Sequence, residues 1–192
     1  QFTAMLKWAK SIGRISANPL ADFKRMLIGD RERRRKSTRL TVEQCRELIA
    51  AARSLDTKGR GIPQAPLLET MILTGFRWKE ATSLRWSDLS RRPDGSWWLT
   101  VISAYAKNGK SRSNPIPTSH AERLLDLRNA QAPILERLAT ENDWIHPNRR
   151  AQRWERPVND GNFRRYFRTV VRNAGMDGRD VDGKRVHPHA LR

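Results

Sequence analysis

Asn108-Gly109 stands between two extended runs, Trp97 to Ser103 and Ser111 to Pro117, and no other feature constrains the fold more. An Asn-Gly pair accepts the positive backbone angles of a tight turn, so the two runs pair as an antiparallel hairpin through Lys107-Asn108-Gly109-Lys110. Pro115 and Pro117 lack the amide donors a central strand needs, which places the second strand at an edge. In that hairpin, alternation turns one of Trp97 and Trp98 toward the core.

Elsewhere the apolar residues recur at helical spacing. Phe2, Met5, Leu6 and Ala9 form one stripe, ending near Gly13. Thr41 and Gln44 make a capping box for a helix whose buried stripe is Val42, Cys45, Leu48, Ile49 and Ala52. After a loop from Thr57 to Pro63, Leu68, Met71 and Ile72 mark a second helix, stopped by Gly75. A short helix starts near Arg77 and buries Ala81 and Leu84. Helical patterns return at Leu124, Leu125 and Leu127, and at Phe163, Phe167, Val170, Val171 and Ala174. The chain reads as α+β, mainly α-helical, with a small antiparallel sheet.

The 192 residues carry a formal charge of +18, and the excess is concentrated. Lys24 to Arg39 holds eight basic residues against Asp30 and Glu32, and Arg149 to Arg172 holds eight against Glu155 and Asp160. The first segment lacks an apolar period and reads as a linker over 24–38, between residues 1–23 and a domain over 39–192. Residues 1–23 are too short for a core of their own and read as the end of a preceding helical domain. Gln1-Phe2-Thr3 lacks an initiator Met and a secretory pattern, which reads as the start of a fragment. No run approaches the roughly 20 apolar residues of a membrane helix, so no membrane partner is expected. Cys45 is the one cysteine, which excludes an internal disulfide and a multi-cysteine zinc site and suits a reducing cytoplasm. The partner such a charge expects is a polyanion, with nucleic acid first. The linker residues Arg33, Arg34, Arg35 and Lys36 would lie along phosphates, as would Lys110, Arg112, Arg164 and Arg168; a solvated basic tether is the alternative for the linker.

Phosphoryl transfer on DNA without a metal needs fixed cations around the non-bridging oxygens, a general acid for the leaving oxygen and a base for the nucleophile. Arginine suits the first task because its planar fork grips two oxygens and stays charged. Three segments offer such groups. In Thr74-Gly75-Phe76-Arg77-Trp78-Lys79-Glu80, Arg77 and Glu80 share a helix face, so the carboxylate can orient the guanidinium; a surface ion pair has the same spacing. Lys107 and Lys110 flank the hairpin turn, as proton donors or as solvated lysines. In His187-Pro188-His189-Ala190-Leu191-Arg192, Pro188 opens a helical turn that projects His189 and Arg192 together; an ordinary helix-start histidine fits equally well. No carboxylate cluster or His/Cys spacing calls for a metal, and no cofactor is expected.

Taken in order, "TGFRWKEATSLRWSDL", "AKNGKSRSNPIP" and "HPHALR" resemble the catalytic domain of tyrosine recombinases of the phage integrase family, over roughly Arg39 to Arg192. Residues 1–23 more weakly resemble the end of that family's core-binding domain. The resemblance implies that Arg77 and Arg192 clamp the scissile phosphate and that Glu80 buttresses Arg77. It implies Lys107 as the acid for the 5′-hydroxyl and His189 as the base. It also implies double-stranded DNA as partner, a tetramer on paired sites, accessory DNA-bending or directionality proteins, and a place at the bacterial nucleoid. The family's nucleophilic tyrosine follows the His-x-x-Arg motif, whereas Tyr105 and Tyr166 precede it, so the expectation is a domain truncated before its nucleophile. Two rival readings share much of this pattern: a DNA-binding module without chemistry, and a type IB topoisomerase. An RNA-binding domain lacks its aromatic single-strand motif.

Overall fold

The computed structural model describes residues 2–21, 40–58, 62–135, 137–148, 156–176 and 186. By its internal contacts the chain divides into two units, Gln1–Lys36 and Ser37–Arg192. In the first, helix α1 (Phe2–Ser11) ends where the Ser11 hydroxyl donates to the Trp8 carbonyl, 2.7 Å away.

The second unit is helical with one small sheet. Helix α2 (Val42–Lys58) starts at the expected capping box: Thr41 N–H donates to Gln44 Oε1 at 2.9 Å, and Gln44 N–H to Thr41 Oγ1 at 3.2 Å. Leu48 and Ala52 of its stripe are buried and Cys45 is half-buried, but Val42, in the first turn, is 61% exposed. Helix α3 (Ala65–Thr74) is buried around most of its circumference, because α2, α5 and β3 all pack on it. Its N-terminus is held by Asp56, whose Oδ2 accepts the Gln64 and Ala65 amides at 2.7 and 2.6 Å, an anion on the positive end of the helix. Its C-cap, Gly75, has φ +64°, a left-handed conformation that turns the chain into α4 (Trp78–Thr82).

The sheet has three antiparallel strands in the order β1 (Leu89–Arg91), β2 (Trp97–Val101) and β3 (Arg112–Ile116). The sequence shows only the last two; β1, three residues long and directly after the turn Trp86–Asp88, is too short for a legible alternation. β3 is an edge strand, as Pro115 requires. The strands are shorter than the sequence reading, since the ladder ends at the Val101–Arg112 pair. The connection is therefore residues 102–111, within which Ala106 N–H bonds Ile102 O and Gly109 takes φ +63°. Both Trp97 and Trp98 are half-buried, Trp97 against the core and Trp98 under the Arg92 guanidinium, 3.5 Å from its ring centre.

Helix α5 (Thr118–Leu135) buries Ala121, Leu124 and Leu127. Helix α6 (Asp160–Asn173), capped by the Asn159 side chain on Gly161 N–H at 2.8 Å, packs on α2. It buries Phe163, Tyr166, Phe167, Val170 and Val171 and exposes Arg164, Arg168 and Arg172, the two-faced pattern the sequence shows. Trp78 of α4 lies on Phe163 at 4.6 Å between ring centres, joining α6 to the segment that carries Arg77.

Candidate active site

The α3–α4 corner is made rigid from its own sequence. Thr74 Oγ1 donates to Thr70 O at 2.6 Å and accepts Phe76 N–H at 3.2 Å, so one hydroxyl ties the last turn of α3 to the residues that leave it. Phe76 is fully buried, and Arg77, extended at φ −69° and ψ 157°, is the N-cap of α4.

Glu80, three residues on, reaches back to that N-cap. Its Oε2 accepts the Arg77 amide at 2.7 Å, and its Oε1 accepts Arg77 Nη1 at 3.0 Å. Oε2 also accepts Arg112 Nη2 from β3 at 2.6 Å. The alternative of a surface ion pair fails on burial, because Glu80 is 1% exposed. Burial alone would raise its carboxyl pKa; the Arg77 amide and guanidinium, with the Arg112 charge, outweigh that and hold it below the ordinary carboxylate value. The Arg77 side chain stays 31% exposed, so one side of its fork is braced by Glu80 while the rest faces outward. That is the disposition an oxyanion receptor requires.

Of the other sequence-derived candidates, Lys107 and Lys110 are exposed on the connection 102–111. Arg112, expected from sequence to contact phosphate, is bonded to Glu80 with its side chain 38% exposed, and its guanidinium lies 4.9 Å from the Phe76 ring centre. Arg164 and Arg168 are exposed on α6, Arg164 paired with Asp160 at 2.8 Å. His189, Arg192, Arg33, Arg34, Arg35 and Lys36 lie outside the described residues. The structure thus brings together Arg77, Glu80 and Arg112. Among the described residues no hydrogen bond or ion pair joins Arg164 or Arg168 to that set.

Glu69, His120 and His146, on which the sequence gives no signal, are also buried. Glu69 on α3 accepts Arg53 Nε at 2.7 Å, Arg123 Nε at 2.8 Å and His120 Nδ1 at 3.2 Å, beside a cleft of about 290 Å³. A carboxylate only accepts, so His120 Nδ1 carries the proton, and its Nε2 lies 2.9 Å from Thr70 Oγ1. This network ties α2, α3 and α5. His146 is buried, and among the described residues neither ring nitrogen has a hydrogen-bond partner. Burial, with the neighbouring His120, depresses its pKa to about 3, so the imidazole is neutral. Glu69 sits in a Leu-Leu-Glu-Thr-Met-Ile run where neighbouring residues are core, and only three-dimensional proximity to Arg53, His120 and Arg123 reveals its role. Among the described residues, no group of three or more His, Cys, Asp and Glu side chains could hold a metal ion, and no helix is long and apolar enough to cross a membrane.

A mostly helical domain with one three-stranded antiparallel sheet, its edge strand bonded to the buried glutamate of an Arg–Glu corner, has the fold of the tyrosine recombinase catalytic domain. Residues 38–192 match the model of the Phage integrase family, and the chain belongs to that family. Among solved structures, it is similar to the XerH site-specific recombinase bound to difH substrate in a pre-cleavage complex, at TM-score 0.60 and 18% identity over 80% of this chain and 40% of that one. It is also similar to the XerA recombinase, at TM-score 0.54 and 24% identity over 80% of this chain and 47% of that one. The chain thus spans less than half the length of these relatives, and at such identities the likeness is one of fold. No curated protein matches it.

Proposed function

We propose that this chain is the catalytic part of a site-specific DNA recombinase or integrase, breaking and rejoining double-stranded DNA by metal-free transesterification. The observation that carries the reading is the buried Glu80 carboxylate, which braces Arg77 at a partly exposed corner of a phage integrase domain. In the proposed reaction Arg77 and Arg192 hold the non-bridging oxygens of the scissile phosphate. A tyrosine oxygen attacks phosphorus and yields its proton toward His189. The bond to the 5′-oxygen breaks as Lys107 protonates that oxygen, leaving a 3′-phosphotyrosyl linkage. A 5′-hydroxyl then reverses these steps on the new strand. Neither tyrosine of the sequence is assigned the attack: both precede the His-x-x-Arg motif, and the Tyr166 hydroxyl donates to Ala52 O at 3.2 Å from within the core.

The same proposal gives Arg33, Arg34, Arg35, Lys36, Lys110, Arg112, Arg164 and Arg168 to the DNA backbone, Arg112 through the exposed part of its side chain. Residues 1–23 are assigned to a preceding DNA-binding helical domain, 24–38 to the linker and 39–192 to the catalytic domain. Action as a tetramer on paired sites, help from accessory DNA-bending proteins and a place on the cytoplasmic nucleoid belong to this reading as well.

The test replaces Arg77 by Ala in the whole gene product and measures DNA binding and strand cleavage separately. Cleavage should fall at least about 100-fold with binding within a few-fold, whereas alanines at Arg33, Arg34 and Arg35 should mainly weaken binding. A purely DNA-binding module predicts no cleavage to lose. A type IB topoisomerase predicts relaxation of supercoiled plasmid without a preferred site.

A further inference from the structure

We propose that Arg112 is a positioning residue, seating the connection that carries Lys107 on the Arg77–Glu80 corner; the inference rests on the recombinase reading above. Arg112 is the first residue of β3 and pairs with Val101, so it stands at the neck of the connection 102–111. Next to it, Ser111 Oγ accepts Ser103 N–H at 2.9 Å and closes that neck. The Arg112 side chain leaves the hairpin and donates from Nη2 to Glu80 Oε2 at 2.6 Å, the oxygen that also accepts the Arg77 amide at 2.7 Å. One carboxylate oxygen therefore joins the backbone of the phosphate-holding arginine to the base of the loop bearing the acid.

The contact has the marks of a built joint. Arg112, Asn114 and Ile116 alternate along one face of β3. Asn114 Nδ2 donates to Thr74 O at 2.6 Å, Ile116 is buried, and the Arg112 guanidinium covers the Phe76 ring at 4.9 Å. Arg112 Nε is buried against this surface and has no hydrogen-bond partner among the described residues, so the guanidinium is committed to the joint on that side. Both Asn114 and Arg112 thus grip the turn that presents Arg77, one at each end. An exposed lysine on a ten-residue connection gains a defined position only from its anchors, and a small misplacement of an acid costs a large factor in rate. Lysine in place of Arg112 would keep the charge but lose the planar fork that bonds Glu80 while lying on Phe76.

The test uses the whole gene product and the nicked duplex recovered by covalent capture from fragments of its own genome. Cleavage rates are compared on that duplex and on a copy whose scissile 5′-oxygen is replaced by sulfur. A thiolate leaves without a proton, so defects in general-acid placement vanish on the sulfur duplex and all other defects persist. R112Q should be roughly 10- to 100-fold slow on oxygen and within about threefold of the unaltered protein on sulfur, like K107A. R77A should be slow on both. R112K is carried alongside, with a smaller loss and the same recovery, so that the comparison survives if R112Q does not fold. Normal rates for R112Q and R112K on oxygen, or equal slowness on both duplexes, overturn the role of Arg112 alone. If R77A and K107A also cleave oxygen normally, or if nothing cleaves, the recombinase reading itself fails and this inference with it.

Discussion

Replacing Glu69 by Gln removes one charge from the centre of the helical layer while keeping its shape. The carboxylate holds Arg53 of α2, His120 and Arg123 of α5, and is 1% exposed. Burial pushes its pKa up, but the hydrogen bonds from His120 and Arg53 and the charge of Arg123 prevail and bring it from 4.5 to about 2. That gap corresponds to about 3 kcal/mol of preference for the ionised carboxylate in the folded state. Arg53 and Arg123 are partly exposed and regain water when the charge is lost, so E69Q should cost about 2–3 kcal/mol. For a domain of this size the melting temperature should fall by about 5–10 °C. A depressed carboxyl pKa contributes stability above the unfolded value of 4.5 and loses it as pH falls toward 2. Urea unfolding followed by circular dichroism at pH 7, 4.5 and 3 should therefore show a difference between the two proteins that is full at neutral pH and shrinks below 4.5. A difference under about 0.5 kcal/mol at pH 7, or one that does not change with pH, would refute the assignment.

His146→Leu removes a buried imidazole with no hydrogen-bond partner among the described residues and should leave neutral-pH stability unchanged or about 1 kcal/mol higher. The ring's pKa of about 3 lies below the unfolded 6.5, so on acidification the unfolded state gains a proton first; stability should drop between those values, and H146L should lack that part of the slope in pH-dependent melts. Tyr166→Phe loses the bond to Ala52 O and should lower unfolding free energy by about 1 kcal/mol while leaving DNA cleavage intact; lost cleavage in a folded variant would give Tyr166 the attack.

Local signals carried much of the fold. The capping box at Thr41, the glycine stop at Gly75, the edge strand with Pro115 and the two-faced α6 each depend on residues within a turn or two of one another. What escaped depends on distant partners. The three-residue β1 exists because β2 pairs with it, and Arg112 and Glu80 are 32 positions apart. A strand arginine in a chain of charge +18 reads as one more phosphate contact, and only the fold shows that it also sits on a buried carboxylate. The Arg77–Glu80 pair shows the same limit from the other side, because its spacing was legible and its burial was not. His189 and Arg192 rest on their motif alone, since they lie outside the described residues.

The central claim is that this family member makes a covalent bond to DNA through tyrosine. The direct measurement incubates the whole gene product with nicked duplex fragments of its own genome in a chelating buffer and resolves the products under denaturing conditions. The account predicts a protein–DNA adduct through tyrosine at the 3′-phosphate, formed without divalent metal and lost when Arg77 is changed to Ala. Absence of any adduct, attachment at a 5′ end, or an adduct that survives that change would contradict it.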